Sequence, residues 1–277
     1  MAKYLTNSSL LEEIHKAKMT YCIYDDEKYT SFDAIIQDRA EITPELIAET
    51  KDKICAKRNK GVISRNLKVK KSESHLKEIV VEPKDIKTTD LIFRLMTFEH
   101  IPKRPKGTYV EETALKYENR AYEKVPFPPF KHIMLQDTTD LTSYKTVLTS
   151  HWNQKRFDPY SGRIHNELGK MWMLLVERIG RKGNFRNYTY LEDMKGEALI
   201  QLANVGLRFD ESRQAVPNPF AFYTTVVNNA FKRILNKEKA VRDLRDDILE
   251  VVGNNPSMRR QLENEMKAQS STSSSKA

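Results

Sequence analysis

The sequence predicts a mainly α-helical protein built around a compact three-helix core. Three consecutive segments between residues 166 and 238 carry apolar side chains at helical spacing. Those segments are bounded by helix start and stop signals. The stretch ahead of them reads as short capped helices with a single brief β-type run, so an N-terminal, mostly helical extension of unassigned fold is expected. No internal repeat recurs at a fixed period.

The N-terminal elements follow in order. Ser8 is placed to cap a helix carrying Leu10, Leu11 and Ile14. Thr43-Pro44-Glu45 is a cap followed by a first-turn proline, and it opens a helix with Leu46, Ile47 and Ile54. His75–Val81, with its Ile79-Val80-Val81 run, reads as a short strand. Thr89-Asp90 then opens LIFRLMTF, where Leu91, Leu95 and Phe98 fit one short buried helix face. Residues 101–130 change character: Pro102, Pro105 and Gly107 punctuate, and Pro126-Phe127-Pro128-Pro129-Phe130 must be extended. Such a run packs across its own domain or docks into an aromatic-lined groove. Cleaner periodicity sets in near 140–155. This divides the chain into an extension of unknown role (1–150), a core domain (151–240), and a C-terminal helix with a Ser-rich disordered tail (241–277).

The core helices are the strongest reading. Leu168, Met171, Trp172, Leu175, Val176 and Ile179 form one amphipathic face that stops at Gly180. Thr189 precedes a second helix with Leu191, Met194, Ala198, Leu202 and Val205 as its stripe. Glu192, Asp193, Glu197, Gln201 and Asn204 lie on its other face. After a loop over Glu211–Pro219, a third helix runs from about Phe220 to Glu238.

Composition narrows the function classes. The 277 residues hold 47 basic and 38 acidic side chains, for a formal charge of +9. Residues 151–240 carry 15 basic against 9 acidic, the most basic block, as expected of a phosphate-binding surface. Lys51–Lys71 holds nine basic residues against Asp52 alone, and reads either as a basic linker or as a second anion-binding cluster. No apolar run is long enough to span a membrane, and the first residues lack a basic region followed by an apolar core. Cys22 and Cys55 have no paired spacing, and the six histidines show no ligand pattern. A disulfide framework, a zinc site and a resident cofactor are therefore not expected, and a reducing, intracellular setting fits best.

The third helix adds chemistry to packing. Phe220, Phe222 and Tyr223 cluster at its start. Thr225, Asn229, Lys232 and Asn236 recur at spacings of four, three and four, on one face, with Arg233 and Lys237 beside them. Hydroxyl, amide and basic groups reach phosphates and base edges, and aromatics stack on unpaired bases.

Leu168–Ala240 resembles region two of bacterial RNA polymerase sigma factors, above all the shortened sigma factors of late transcription in tailed phages. The likeness rests on DMKGEALIQLANVGLRFD and on NPFAFYTTVVNNAFKRILNKEK, with its Asn-Pro start, Ala-aromatic step and basic end. The resemblance implies a non-enzymatic initiation factor in the cytoplasm of an infected bacterial cell. It would dock on the clamp helices of the largest subunit of core RNA polymerase and melt a minus-ten-type promoter element. Asp193, Glu197 and Gln201 would contact polymerase. Phe220, Phe222, Tyr223, Thr225, Asn229, Lys232, Arg233, Asn236 and Lys237 would contact promoter DNA. The family also implies a late-transcription coactivator or a sliding clamp as partner, although the end MRRQLENEMKAQSSTSSSKA lacks the usual acidic-hydrophobic tail.

Departures accompany the likeness. Val226 and Val227 stand where housekeeping sigma factors have adjacent tryptophans, and Gly196 and Leu199 replace polar contact residues. No upstream-element-reading domain is expected after Ala240. The rival readings are a helical nucleic-acid-binding protein acting without polymerase, and a nuclease. For the nuclease reading, Asp243, Asp246 and Asp247 are the one tight acidic group near the basic block, and they read better as a charge-balanced helix face.

Overall fold

The computed structural model describes residues 5–66, 81–116, 118–137, 141–154 and 156–274. In chain order the elements are α1 (Asn7–Met19), β1 (Cys22–Tyr24), β2 (Ala34–Ile36), α2 (Pro44–Asn66), β3 (Ile92–Met96), α3 (Glu111–Lys116), β4 (Phe130–Leu135), β5 (Tyr144–Ser150), β6 (Trp152–Asn153), β7 (Arg156–Phe157), α4 (Asn166–Gly180), α5 (Leu191–Val205), α6 (Pro219–Val251) and α7 (Met258–Ser274). The protein is therefore mixed α/β, not mainly α. A five-stranded sheet in the order β1-β5-β4-β3-β2 occupies the part expected to be a helical extension. All neighbours are antiparallel except β2 and β3, which are parallel.

LIFRLMTF departs most clearly from expectation. Its leucines sit at helical spacing, yet Ile92–Met96 is the strand next to the sheet edge, buried at Ile92, Phe93, Arg94 and Leu95 alike. A short apolar run covered on both faces loses its period-2 alternation, so periodicity cannot separate it from a helix. Its β-branched and aromatic content was the better guide. The run at His75–Val80 lies outside the described residues, as does the end of the basic cluster beyond Asn66.

Helix signals fared better than strand signals. α2 opens at Pro44, with the Thr43 hydroxyl accepting from the Leu46 N–H at 3.2 Å. For α1 the cap is Thr6, ahead of Ser8, in a reciprocal box with Ser9. α4 spans Asn166 to Gly180 as the stripe predicted. α6 runs through Val251 without a break, well past Glu238.

The chain forms two compact units. One comprises 1–171 and 203–222, the other 172–202 and 223–277. In the first, alternate strand residues Phe93, Leu95, Ile133 and Leu135 pack with Ile47 and Cys55 of α2 in one apolar core. The opposite face carries Arg94 and His132, cross-strand neighbours on β3 and β4, and contacts α1 through His15. In the second unit, Trp172, Leu175 and Ile179 of α4, Met194, Ala198 and Leu202 of α5, and Tyr223, Val227, Ala230 and Phe231 of α6 are buried. Gly180 makes room there for α5: a Cβ on it would sit 3.0 Å from Cε of Lys195. No helix among the described residues is long and apolar enough to cross a membrane.

Candidate nucleic-acid interface

α6 begins on Asn218, whose side-chain oxygen accepts from the Ala221 N–H at 3.0 Å, with Pro219 at the first helical position. The helix is then fixed by aromatic packing in the second unit. Tyr223 meets Trp172 edge-to-face at 5.6 Å, and Phe231 meets Phe185 at 5.0 Å. The side opposite this packing exposes Thr225, Asn229, Lys232, Arg233, Asn236 and Lys237. The four-three-four spacing thus does place a polar and basic strip on solvent.

The aromatics divide. Phe220 is 39% exposed and available for stacking. Phe222 is half-buried, its ring 5.6 Å from that of Phe209. Tyr223 is fully buried. Its expected role as a base-stacking residue fails, because its ring is already enclosed by the core that holds α6.

The expected polymerase and DNA residues are not separate surfaces. Asp193 is exposed, but Glu197 is half-buried and engaged twice. Gln201 Nε2 donates to its Oε1 at 2.9 Å, and Arg233 of α6 pairs with the same oxygen at 3.2 Å. Ile200 is 57% exposed beside them. Part of the Arg233 charge is therefore neutralised by α5.

A second constellation, absent from the sequence reading, lies inside the first unit. Arg94 is 2% exposed, yet every side of its guanidinium is engaged. The group lies between the rings of Phe32 and Phe130, 3.8 and 4.1 Å from their centroids. Nε donates to His132 Nε2 at 3.0 Å, one terminal nitrogen donates to His15 Nδ1 at 3.0 Å, and the other to Glu211 Oε2 at 3.2 Å. An arginine offers no lone pair, so both imidazoles must accept from it. Each then carries its proton on the remaining nitrogen, which donates to a carbonyl: His132 Nδ1 to Tyr29 at 2.7 Å and His15 Nε2 to Thr30 at 2.9 Å. Both histidines are thereby held neutral. Burial, reinforced by the Arg94 charge, pulls His15 down to about 4 and His132 to about 3.

Glu211 is shared. Its other oxygen accepts from Lys18 Nζ at 3.0 Å, and Lys18 also donates to the Phe209 carbonyl at 2.8 Å. Burial raises the Glu211 carboxyl, but Lys18 and Arg94 outweigh it and the net shift is downward. Arg94 is lowered by burial to about 10 and stays protonated at neutral pH. Segment 206–213 is thus bolted to α1 and β3 by a desolvated ion-pair cluster. One signal could have found it: a lone arginine within LIFRLMTF, a buried run, demands a partner.

Ser150, His100 and His151 make a further polar group. The Ser150 hydroxyl contacts His100 Nε2 at 3.2 Å and His151 Nδ1 at 3.0 Å, and accepts from the Phe130 N–H at 3.0 Å. The arrangement resembles a nucleophile beside its base. Ser150 and His151 are, however, completely buried, so no substrate reaches the oxygen and the group fastens β5 to β4. Among the described residues no cluster of three His, Cys, Asp or Glu side chains is arranged to hold a metal ion. Asp246, read as part of a solvated face, is instead buried and accepts from the Ser257 N–H at 3.1 Å.

The first unit also opens a cleft of about 850 Å³. Arg104, Lys124 and Pro128–Pro129 line it from the β3–β4 connection, and Arg208, Asp210 and Arg213 from the bolted segment. Searches for related proteins return nothing: no protein-family profile, no curated protein and no solved structure matches the chain.

Proposed function

We propose that the protein is a sigma-like transcription initiation factor that engages promoter DNA through the exposed face of α6. One observation carries the reading. Thr225, Asn229, Lys232 and Asn236, with Lys237 beside them, present hydroxyl, amide and ammonium groups along a helix whose other side is locked into a core. A rigid strip of donors suits phosphate and base-edge contacts. Phe220 at the same helix's start offers a stacking surface for a displaced base. The likeness of Leu168–Ala240 to sigma region two supports the assignment, with core RNA polymerase as partner, late-promoter DNA as target and an infected bacterial cytoplasm as setting. Asp193, Gln201 and exposed Ile200 are the docking residues on α5 in this reading.

Reconstitution tests it. The full chain is mixed with core polymerase and a promoter library, and start sites are mapped. Defined start sites that vanish in Lys232→Glu/Lys237→Glu support the reading, and no stable complex with core polymerase overturns it. A polymerase-independent nucleic-acid-binding protein is the second reading. It is favoured by the Glu197–Arg233 pair, which occupies one of the acids needed for docking. It requires tight, salt-sensitive binding to free DNA.

A further inference from the structure

We infer that the cleft in the first unit is a binding site for single-stranded nucleic acid, distinct from the α6 face and independent of the sigma-like reading. The topology motivates it. β3 and β4 are adjacent antiparallel strands that a tight turn of two to five residues would join. The chain instead uses residues 97–129 for the connection, including α3 and a reciprocal strap in which Arg104 N donates to the Ala121 carbonyl and Glu123 N to the Pro102 carbonyl, both at 2.9 Å. Connections of that length are characteristically functional. They are most informative when carried by a rigid scaffold.

Cations outnumber carboxylates in the cleft, where Glu123 and Asp210 are the acidic lining residues. Arg104 and Lys124 from the connection and Arg208 from the opposite wall have no acceptor for their side chains among the described residues, while Arg213 is paired with Asp210 at 3.1 Å. Three unpaired cations facing one concavity raise the local potential for an anion and gain more from a phosphate there than on an open surface. The remaining wall mixes polar side chains, Glu123 among them, with the rings of Tyr109 and Phe98 and the Pro128–Pro129 ledge. Cations beside planar surfaces match a chain of phosphates carrying bases, whereas an acidic peptide would leave those planes unused. The volume lies in the range of roughly 300–1,000 Å³ that encloses small ligands, so the cleft would take a short stretch of strand rather than a duplex. Its far wall is the segment anchored by Glu211 to Lys18 and Arg94, so Arg208 is presented from a fixed position.

The test uses the full chain and a fluorescent octathymidylate. In Arg104→Ser/Lys124→Ser/Arg208→Ser, affinity should fall at least about tenfold. The salt dependence should become shallower by about two in log–log slope, from three lost phosphate contacts at roughly 0.7 each. The charge-matched control Arg58→Ser/Lys84→Ser/Lys87→Ser, exposed elsewhere on the same unit, should bind as the parent does. A photoreactive thiothymidine strand should cross-link to peptides spanning 98–124. Unchanged binding by the triple variant, equal loss in the control, cross-links confined to α6, or equally tight binding of polyglutamate overturns the inference. Binding of ATP as tight as that of the octamer overturns the claim for a strand. None of these readouts involves polymerase, so they fail or succeed separately from the initiation reading.

Discussion

Arg94 and Glu211 stand 117 positions apart and meet in the protein interior at 3.2 Å. The pair explains how a segment that follows α5 comes to belong to the sheet-bearing unit. The chain leaves that unit after residue 171 and returns over 203–222. On its return Glu211 is taken up by two buried cations at once. Apolar contact alone would tolerate sliding of such a segment. A carboxylate held between an ammonium and a guanidinium does not.

Removing the carboxylate should therefore be severe. Glu211→Ala leaves Lys18 and Arg94 charged, desolvated and unpaired, and breaking one side of a buried ion pair costs about 3–5 kcal/mol. Urea denaturation of the full chain reads this directly. The triple replacement Lys18→Met/Arg94→Met/Glu211→Leu should recover only part of the loss: well-packed apolar groups often match a buried ion cluster, but His15 Nδ1 and His132 Nε2 lose their donor. A Glu211→Ala chain as stable as the parent would mean that water reaches the cluster.

Acid should weaken the same unit well above the carboxylate range. His15 and His100 are lowered to about 4, and His132 and His151 to about 3, in every case mainly by burial. These groups bind protons less readily folded than unfolded. Stability is then full above the unfolded value near 6.5, falls as pH drops through it, and continues to fall until about 4 to 3. Each contributes a slope of up to about 1.4 kcal/mol per pH unit within that window. Urea midpoints measured from pH 7.5 to 4.5 should decline steadily from about pH 6.5, and a flat profile down to pH 5 would contradict the neutral, buried assignment.

Legibility tracked the kind of signal each element leaves. α4 and α5 were readable because one face is wet and the other dry, and that contrast repeats over 15 residues in each. The sheet was not, because β1 and β2 are three residues each and β3 is dry on both faces. On β4 the alternation was disguised by His132, a polar residue facing inward to accept from Arg94. Of the candidate site, the α6 strip was readable from spacing alone. What spacing could not give was which of the clustered aromatics faces the core, and Tyr223 rather than Phe220 does. The cleft joins residues 104, 124 and 208, a juxtaposition that only the tertiary fold makes.

Tyr223 and Phe220 should consequently behave differently on truncation. Tyr223→Ala opens a cavity beside Trp172 and should cost about 3–5 kcal/mol, the range for a buried aromatic. Phe220→Ala should change stability by less than about 1 kcal/mol but weaken the residual single-strand binding that remains once the cleft cations are removed by Arg104→Ser/Lys124→Ser/Arg208→Ser, since base stacking contributes about 1–3 kcal/mol per base. Thermal unfolding and oligonucleotide titration of the two variants separate the roles. Loss of strand binding in a fully stable Tyr223→Ala chain would restore that residue to the interface.

Arg233 and Glu197 form a pair with the arginine largely in solvent, so its direct contribution to folding should be small. A double-mutant cycle with Arg233→Ala and Glu197→Ala should return a coupling of about 0–1 kcal/mol. The functional consequence runs the other way. Glu197→Ala frees the guanidinium, so it should tighten binding to DNA while Arg233→Ala loosens it. Equal affinities in all three proteins would remove Arg233 from the DNA-facing strip.

The last helix depends on polar contacts more than on a core. Met258, Leu262 and Met266 of α7 are 72%, 53% and 70% exposed, so little apolar surface holds the helix. What faces α6 is polar: Ser257 bonds to Asp246 through its backbone and its hydroxyl, Arg260 pairs with Asp247 and Glu250, and Asn264 donates to Glu250 at 3.0 Å. The buried member is Asp246, which anchors the turn entering α7 just before its first residue. Asp246→Ala should therefore release α7 as a unit, raising amide exchange over 258–266 and leaving 223–235 protected by the aromatic core. Asp246→Asn keeps an acceptor oxygen and should give an intermediate effect. Salt should weaken the Arg260 pairs but leave the Asp246–Ser257 bonds in place, so α7 of the parent should stay protected at high ionic strength. Exchange over 258–266 that is fast in the parent, or unaltered by Asp246→Ala, would show that this carboxylate does not hold the helix.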